Sequence, residues 1–124
     1  MELRAKSLKA PPSLADGERV LVSRLRPKDP LTPRCDAWER DLAPSVKLDF
    51  ALWRGWITPR EHAALYVGEM WGQADRLRKI GERAAVRPVT LVCTCSDRHG
   101  CRCHLLIALV NRLFAPRREL AAAR

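Results

Sequence analysis

Two short runs, Arg19–Leu25 and Val89–Cys95, are apolar and β-branched, and a long stretch with helical patterning separates them. A tight hairpin cannot join strands so far apart. A helical crossover can, and it returns the second strand parallel to the first, with a right-handed connection. Pro27 and Pro30 halt the first run, and Pro88 opens the second. The fold expected is therefore α/β, a small parallel or mixed sheet with helices packed against it. A chain of 124 residues, 47% hydrophobic, has room for one core. Residues 1–116 read as a single domain, and 117–124 as a basic tail, frayed helix or disorder.

Local signals place the other elements. Leu3–Leu8 alternates weakly and reads as a short edge strand, followed by a turn-rich loop, Ala10–Gly17, whose sharpest signal is Asp16-Gly17. Thr32-Pro33 offers a helix start for Arg34–Leu42. Ser45 is placed to cap a helix over Val46–Trp53. Thr58-Pro59-Arg60-Glu61 forms a capping box with proline at the first turn. Behind it Ala63, Val67, Met70, Ala74 and Leu77 fall on one helical stripe, which predicts a single helix to about residue 84. Trp71 and Ile80 flank the stripe, while Arg76, Arg78, Lys79, Glu82 and Arg83 face outward. Leu105–Phe114 reads as the last helix, with Leu106, Leu109, Val110 and Leu113 toward the sheet and Pro116 ending it. Trp53, Trp56 and Trp71 read as core and rim rather than a cofactor box.

No stretch approaches the length of a membrane span, and the opening Met-Glu-Leu-Arg-Ala-Lys lacks an apolar signal region. A cytoplasmic address is expected, where five cysteines do not read as a disulfide framework. The net charge of +9 suits phosphate groups, nucleic acid or acidic partners. It also suits a merely solvated surface, and no interleaved aromatic platform accompanies it in the sequence.

Chemistry gathers in one corner. Residues 89–104 hold Cys93, Cys95, Cys101, Cys103, His99 and His104, at a strand–loop–helix junction where α/β proteins commonly place ligands. Cys93 and Cys95 share a strand face with Cα atoms roughly 6.5–7 Å apart. A tetrahedral zinc site wants its sulfurs about 3.8 Å apart. Cys93, Cys95, Cys101, Cys103 and His104 thus form a moderate set for zinc or another thiophilic metal. The second reading is a reactive thiol. Cys103, near a helix N-terminus beside Arg102 and His104, would carry more thiolate, with His104 as its partner. Cys93 reads as a buried small hydrophobe, and Cys101 and Cys103 as exposed loop thiols. His62 and His99 read as surface or loop residues. Covalent haem is excluded, because Cys101-Arg102-Cys103-His104 is one residue short of the attachment signature; non-covalent haem stays open.

At the first strand end Arg24 and Arg26 share a face, with Lys28 near. Opposite a helix start such as Ser45 they would form an anion pocket. The competing reading has Arg24 anchoring a carboxylate such as Asp41.

Several segments resemble one family. Asp16-Gly17-x-Arg19-Val20-Leu21-Val22-x-Arg24-Leu25-x-Pro27 is similar to the opening signature of the YeaO-like family, domain of unknown function 488. Trp38 and Asp41-Leu42-Ala43-Pro44-Ser45 resemble a second signature, Tyr66 and Glu69 stand where that family's long helix carries Tyr and Glu, and Pro88-Val89-Thr90-Leu91 and Cys103-His104 resemble its closing segments. The resemblance covers roughly residues 3–114 and implies a small α/β protein with no settled activity. Ser23, Arg26 and Lys28-Asp29 depart from the pattern, which usually has Asp, Trp and Arg-Gly there. The extra Cys95 and Cys101 are not part of it either. The leading functional expectation is thiol- or metal-dependent binding of, or catalysis on, an anionic small molecule at the strand ends. The rivals are a nucleic-acid-binding accessory and a regulatory partner protein.

Overall fold

The computed structural model describes residues 1–24, 35–94 and 102–122, with side chains as far as Leu113. Four strands, β1 (Leu3–Ser7), β2 (Glu18–Leu21), β3 (Ala37–Trp38) and β4 (Val89–Cys93), form one sheet in the order β1-β4-β2-β3. Every pairing is parallel. The two apolar runs are thus neighbours at the centre, as their spacing demands. β4 is the more buried of them, all five residues covered.

Register aligns Arg4, Thr90 and Arg19 in one row and Lys6, Val92 and Leu21 in another. Residues between these rows turn the opposite way. Val20, Val22, Val89, Leu91 and Cys93 therefore face the main core, which Tyr66, Met70, Leu77, Ile80, Leu106 and Val110 complete from the helices. On the reverse face Leu8, Leu21 and Val92 make a small second cluster with Cys35. The helices described here pack on one side only.

They are α1 (Val46–Trp53), α2 (Pro59–Trp71), α3 (Ala74–Val86) and α4 (Arg102–Ala122). Both predicted caps form. Ser45 Oγ accepts the Leu48 N–H at 3.2 Å, and Thr58 Oγ1 accepts the Glu61 N–H at 3.1 Å while Glu61 Oε1 accepts the Thr58 N–H at 3.0 Å. That reciprocal bond holds the Glu61 carboxyl below its ordinary range.

Five expectations need correction. The single helix from Thr58 to about residue 84 is two helices, because Gly72 and Gln73 donate to Glu69 O and Met70 O, three residues back, and close α2. Leu77, Ile80 and Ala84 then take the buried face of α3. The helix expected over Arg34–Leu42 is instead β3 plus a 3₁₀ turn at Arg40–Leu42. The Arg19 N–H donates to Asp36 Oδ2 at 2.8 Å and Asp36 N–H donates to Arg19 O at 2.7 Å, so β2 captures this segment edge-on. Long-range pairing outweighs local propensity here. The last helix starts at Arg102 and continues through Pro116 to Ala122, in a stretch whose alanines, arginines, Glu119 and Leu120 are strong helix formers. Finally, Trp53, Trp56 and Trp71 are exposed rather than core. β2 and β4 are also shorter than their apolar runs, ending at Leu21 and Cys93.

Among the described residues no helix is long and apolar enough to cross a membrane.

Candidate functional site

The C-terminal ends of β2 and β4 lie side by side, and three polar arrangements surround the sheet from there. The first fixes the segment Asp41–Ser45. Arg24, just past β2, donates through Nη2 to Ala43 O at 2.9 Å and through Nε to Pro44 O at 3.3 Å. Its Nη1 reaches Asp41 Oδ1 at 3.4 Å, and Arg76 Nη2 sits 3.3 Å from Asp41 Oδ2. The Arg76 guanidinium also meets Glu39 at 3.4 Å. From α2, the buried Tyr66 hydroxyl donates to Leu42 O at 2.5 Å. Glu69 accepts twice from Ser45, from its N–H at 2.9 Å and its hydroxyl at 2.5 Å.

Arg24 and Ser45 thus do converge on one loop, but the anions they meet are the protein's own. Asp41 faces Arg24, and Glu69 fills the α1 N-terminus where a free anion would otherwise sit. Arg26 and Lys28 lie outside the described residues. Tyr66, Glu69 and Arg76 have no local signal for these contacts, since their partners are more than twenty residues away in sequence.

The second arrangement is the cysteine corner. Cys93 ends β4 and Cys103 stands on the first turn of α4, and both belong to the same buried cluster. Cys103 has no exposed surface, against the expectation of an exposed thiol. The reason is phase. With α4 beginning at Arg102, Cys103 falls on the stripe of Leu106 and Val110 that packs on the sheet. His104, one position on, is exposed. Neighbouring helix positions lie about 100° apart, so thiol and imidazole leave the helix in different directions. Cys95, His99 and Cys101 lie outside the described residues. Among the described residues, no three His, Cys, Asp or Glu side chains gather as a metal set.

The third arrangement lies on the reverse face of the sheet. Asp16, 5% exposed, accepts from the Ser13 N–H at 3.0 Å, from Lys6 Nζ at 3.1 Å and from Arg19 Nη1, and Arg19 is equally buried. Burial alone would raise the Asp16 carboxyl; the Ser13 N–H, then Lys6 and Arg19, outweigh it and hold the group below its ordinary range. Thr90 donates to Asp16 O at 2.7 Å, tying this turn to the middle of β4. Gly17 between them has φ +64°, and a Cβ there would lie 2.1 Å from Pro88 O. The Asp-Gly-x-Arg signature is therefore a buried ion pair around a turn only glycine fits.

Against this geometry, a family model described as the active DUF488-N3 subclade matches residues 3–113. Comparison with curated proteins and with solved structures gives no match.

Proposed function

The chain belongs to the DUF488 (YeaO-like) family, and we propose that it takes a small anionic molecule at the C-terminal ends of β2 and β4. One observation carries this reading. The 21-residue α4 begins beside the end of β4, and its first turn holds Arg102, Cys103 and His104 with no acidic side chain. The partial positive charge of a helix start is thus reinforced rather than cancelled. Arg24 stands on the β2 side, its guanidinium shared with the Asp41–Ser45 rim, and Arg26 is a candidate from the sequence alone, outside the described residues. His104 is the exposed donor, and Cys103, buried against the sheet on the same helical turn, is the candidate thiol. Ser45 acts through the Asp41–Ser45 rim, since its own donors are held by Glu69. The subclade's description as active supports a reacting site rather than a purely architectural one.

Titration of reduced protein with inorganic phosphate and pyrophosphate, followed by amide chemical shifts, tests the proposal. Saturable shifts at residues 102–105 and at Arg24, lost in His104→Ala, are expected. Shifts absent there, or confined to other basic surfaces, refute it. A thiophilic ion such as zinc is a second reading, favoured by Cys93 and Cys103 sharing one cluster, with Cys95, Cys101 or His104 completing the set. Anaerobic metal analysis decides it: bound metal should be lost at low pH, and a chelator should lower stability.

A further inference from the structure

Away from the strand ends, α1 turns an apolar stripe outward. Phe50, Trp53 and Trp56 are 48%, 77% and 65% exposed. The turn after α1 gathers them beside Arg54, an aromatic platform interleaved with cations, contrary to the expectation from sequence. Gly55 adopts φ +74°, its N–H donates to Leu52 O and the Trp56 N–H donates to Ala51 O, a helix stop that folds Trp56 back toward the helix. The Phe50 and Trp56 rings then lie 5.5 Å apart at 81°, and Phe50 and Trp53 lie 5.9 Å apart at 38°. The Arg54 guanidinium sits over Trp56, 5.7 Å from the ring centre.

Cations outnumber carboxylates around the rings. Among the described residues, Lys47, Arg54 and Arg60 have no carboxylate partner, whereas the nearby acids are engaged, Asp49 by the His62 ring at 2.9 Å and Glu61 by the Thr58 N–H. From this we infer that α1 and the turn after it bind single-stranded nucleic acid, the rings stacking bases and the three cations holding phosphates. The net charge of +9 acts in the same direction over a longer range. Two copies of the chain meeting through this patch would press unpaired cations together. A bilayer would favour rings lying along one plane of a long helix, but these stand at steep angles on a helix of eight residues.

Tryptophan fluorescence of the full chain, titrated with an unlabelled thymidine or uridine oligonucleotide at low salt, tests the inference. Saturable quenching is expected, with affinity falling as salt rises. Trp53→Ala and Trp56→Ala should each weaken binding roughly tenfold, and Arg54→Glu should also flatten the salt dependence. Trp71→Ala, at the opposite end of α2, should leave affinity unchanged. Because the substituted side chains are exposed, an unchanged unfolding midpoint separates lost binding from lost folding. No quenching, or an affinity in Trp53→Ala and Trp56→Ala equal to that of the parent, overturns the inference. So does binding to phosphatidylglycerol vesicles in place of the oligonucleotide, or a concentration-dependent dimer that Trp53→Ala abolishes without any oligonucleotide affinity.

Discussion

Replacing Asp16 with Asn tests whether the reverse face of the sheet rests on a buried charge. The substitution keeps shape and volume but removes the anion from between Lys6 and Arg19. Lys6 keeps partial access to water, with 23% of its side chain exposed, whereas Arg19 retains only 6%. The loss is therefore dominated by a guanidinium left buried opposite an amide, for which about 3–5 kcal/mol is the usual scale. That is a fifth or more of the roughly 5–15 kcal/mol that holds a domain folded. The pH dependence gives the sharper check. Asp16 has a folded-state carboxyl held below its unfolded value, so its stabilisation is fully present above the unfolded value, near pH 3.8. It disappears as pH falls through the lower folded value. Urea midpoints of the parent and Asp16→Asn should differ most near neutrality and converge only below about pH 4. A gap under about 1 kcal/mol at pH 7, or one that stays constant on acidification, refutes the account.

Three further substitutions probe the scaffold. Tyr66→Phe leaves Leu42 O without its buried donor and should cost about 1–2 kcal/mol by denaturant midpoint, with unchanged slope; the Asp41–Ser45 amides should also exchange faster. Thr58→Ala removes the α2 cap oxygen and should cost about 1 kcal/mol, and an unchanged midpoint would show the cap to be idle. Gly17→Ala combines a left-handed backbone with a 2.1 Å approach to Pro88 O, so it should lower the thermal midpoint far more than Gly55→Ala, where a Cβ meets nothing within 4 Å. Equal losses at the two glycines would contradict the close packing of Gly17 on Pro88.

What the sequence makes legible is whatever its own neighbours decide. Ser45 and Thr58 cap helices through amides three residues away, and both helices begin where those residues predict. The adjacency of β2 and β4 follows from two buried runs too far apart for a hairpin. β3 is not legible, because Ala37–Trp38 becomes a strand only through bonds to Arg19 and Leu21, and its local pattern suits a helix equally well. Periodicity has a similar blind spot. It shows that Val46, Phe50 and Trp53 share a face of α1, but not that Leu48 takes the core instead and leaves that face to solvent. For Cys103 the error is one of boundary. Starting α4 three residues earlier puts the thiol on the stripe of Leu106 and Val110, and its burial follows at once.

The residues that carry the family resemblance separate into two kinds once their partners are known. Asp16, Gly17 and Arg19 lock the first connection onto the reverse face, and Arg24, Tyr66 and Glu69 hold Asp41–Ser45 by main-chain and carboxylate contacts. None of these needs a ligand to account for its place. A loss of activity on changing any one of them would therefore speak first to the position of the rim. Cys103 and His104 differ, because one is a thiol spent on packing where an aliphatic side chain would serve, and the other is exposed beside a helix start without an acid. Cys103→Ala and Cys103→Val separate packing from chemistry. Valine fills the core space and should restore stability that alanine loses, so an activity restored with it would assign Cys103 to the core, and one that stays lost would assign it to the reaction.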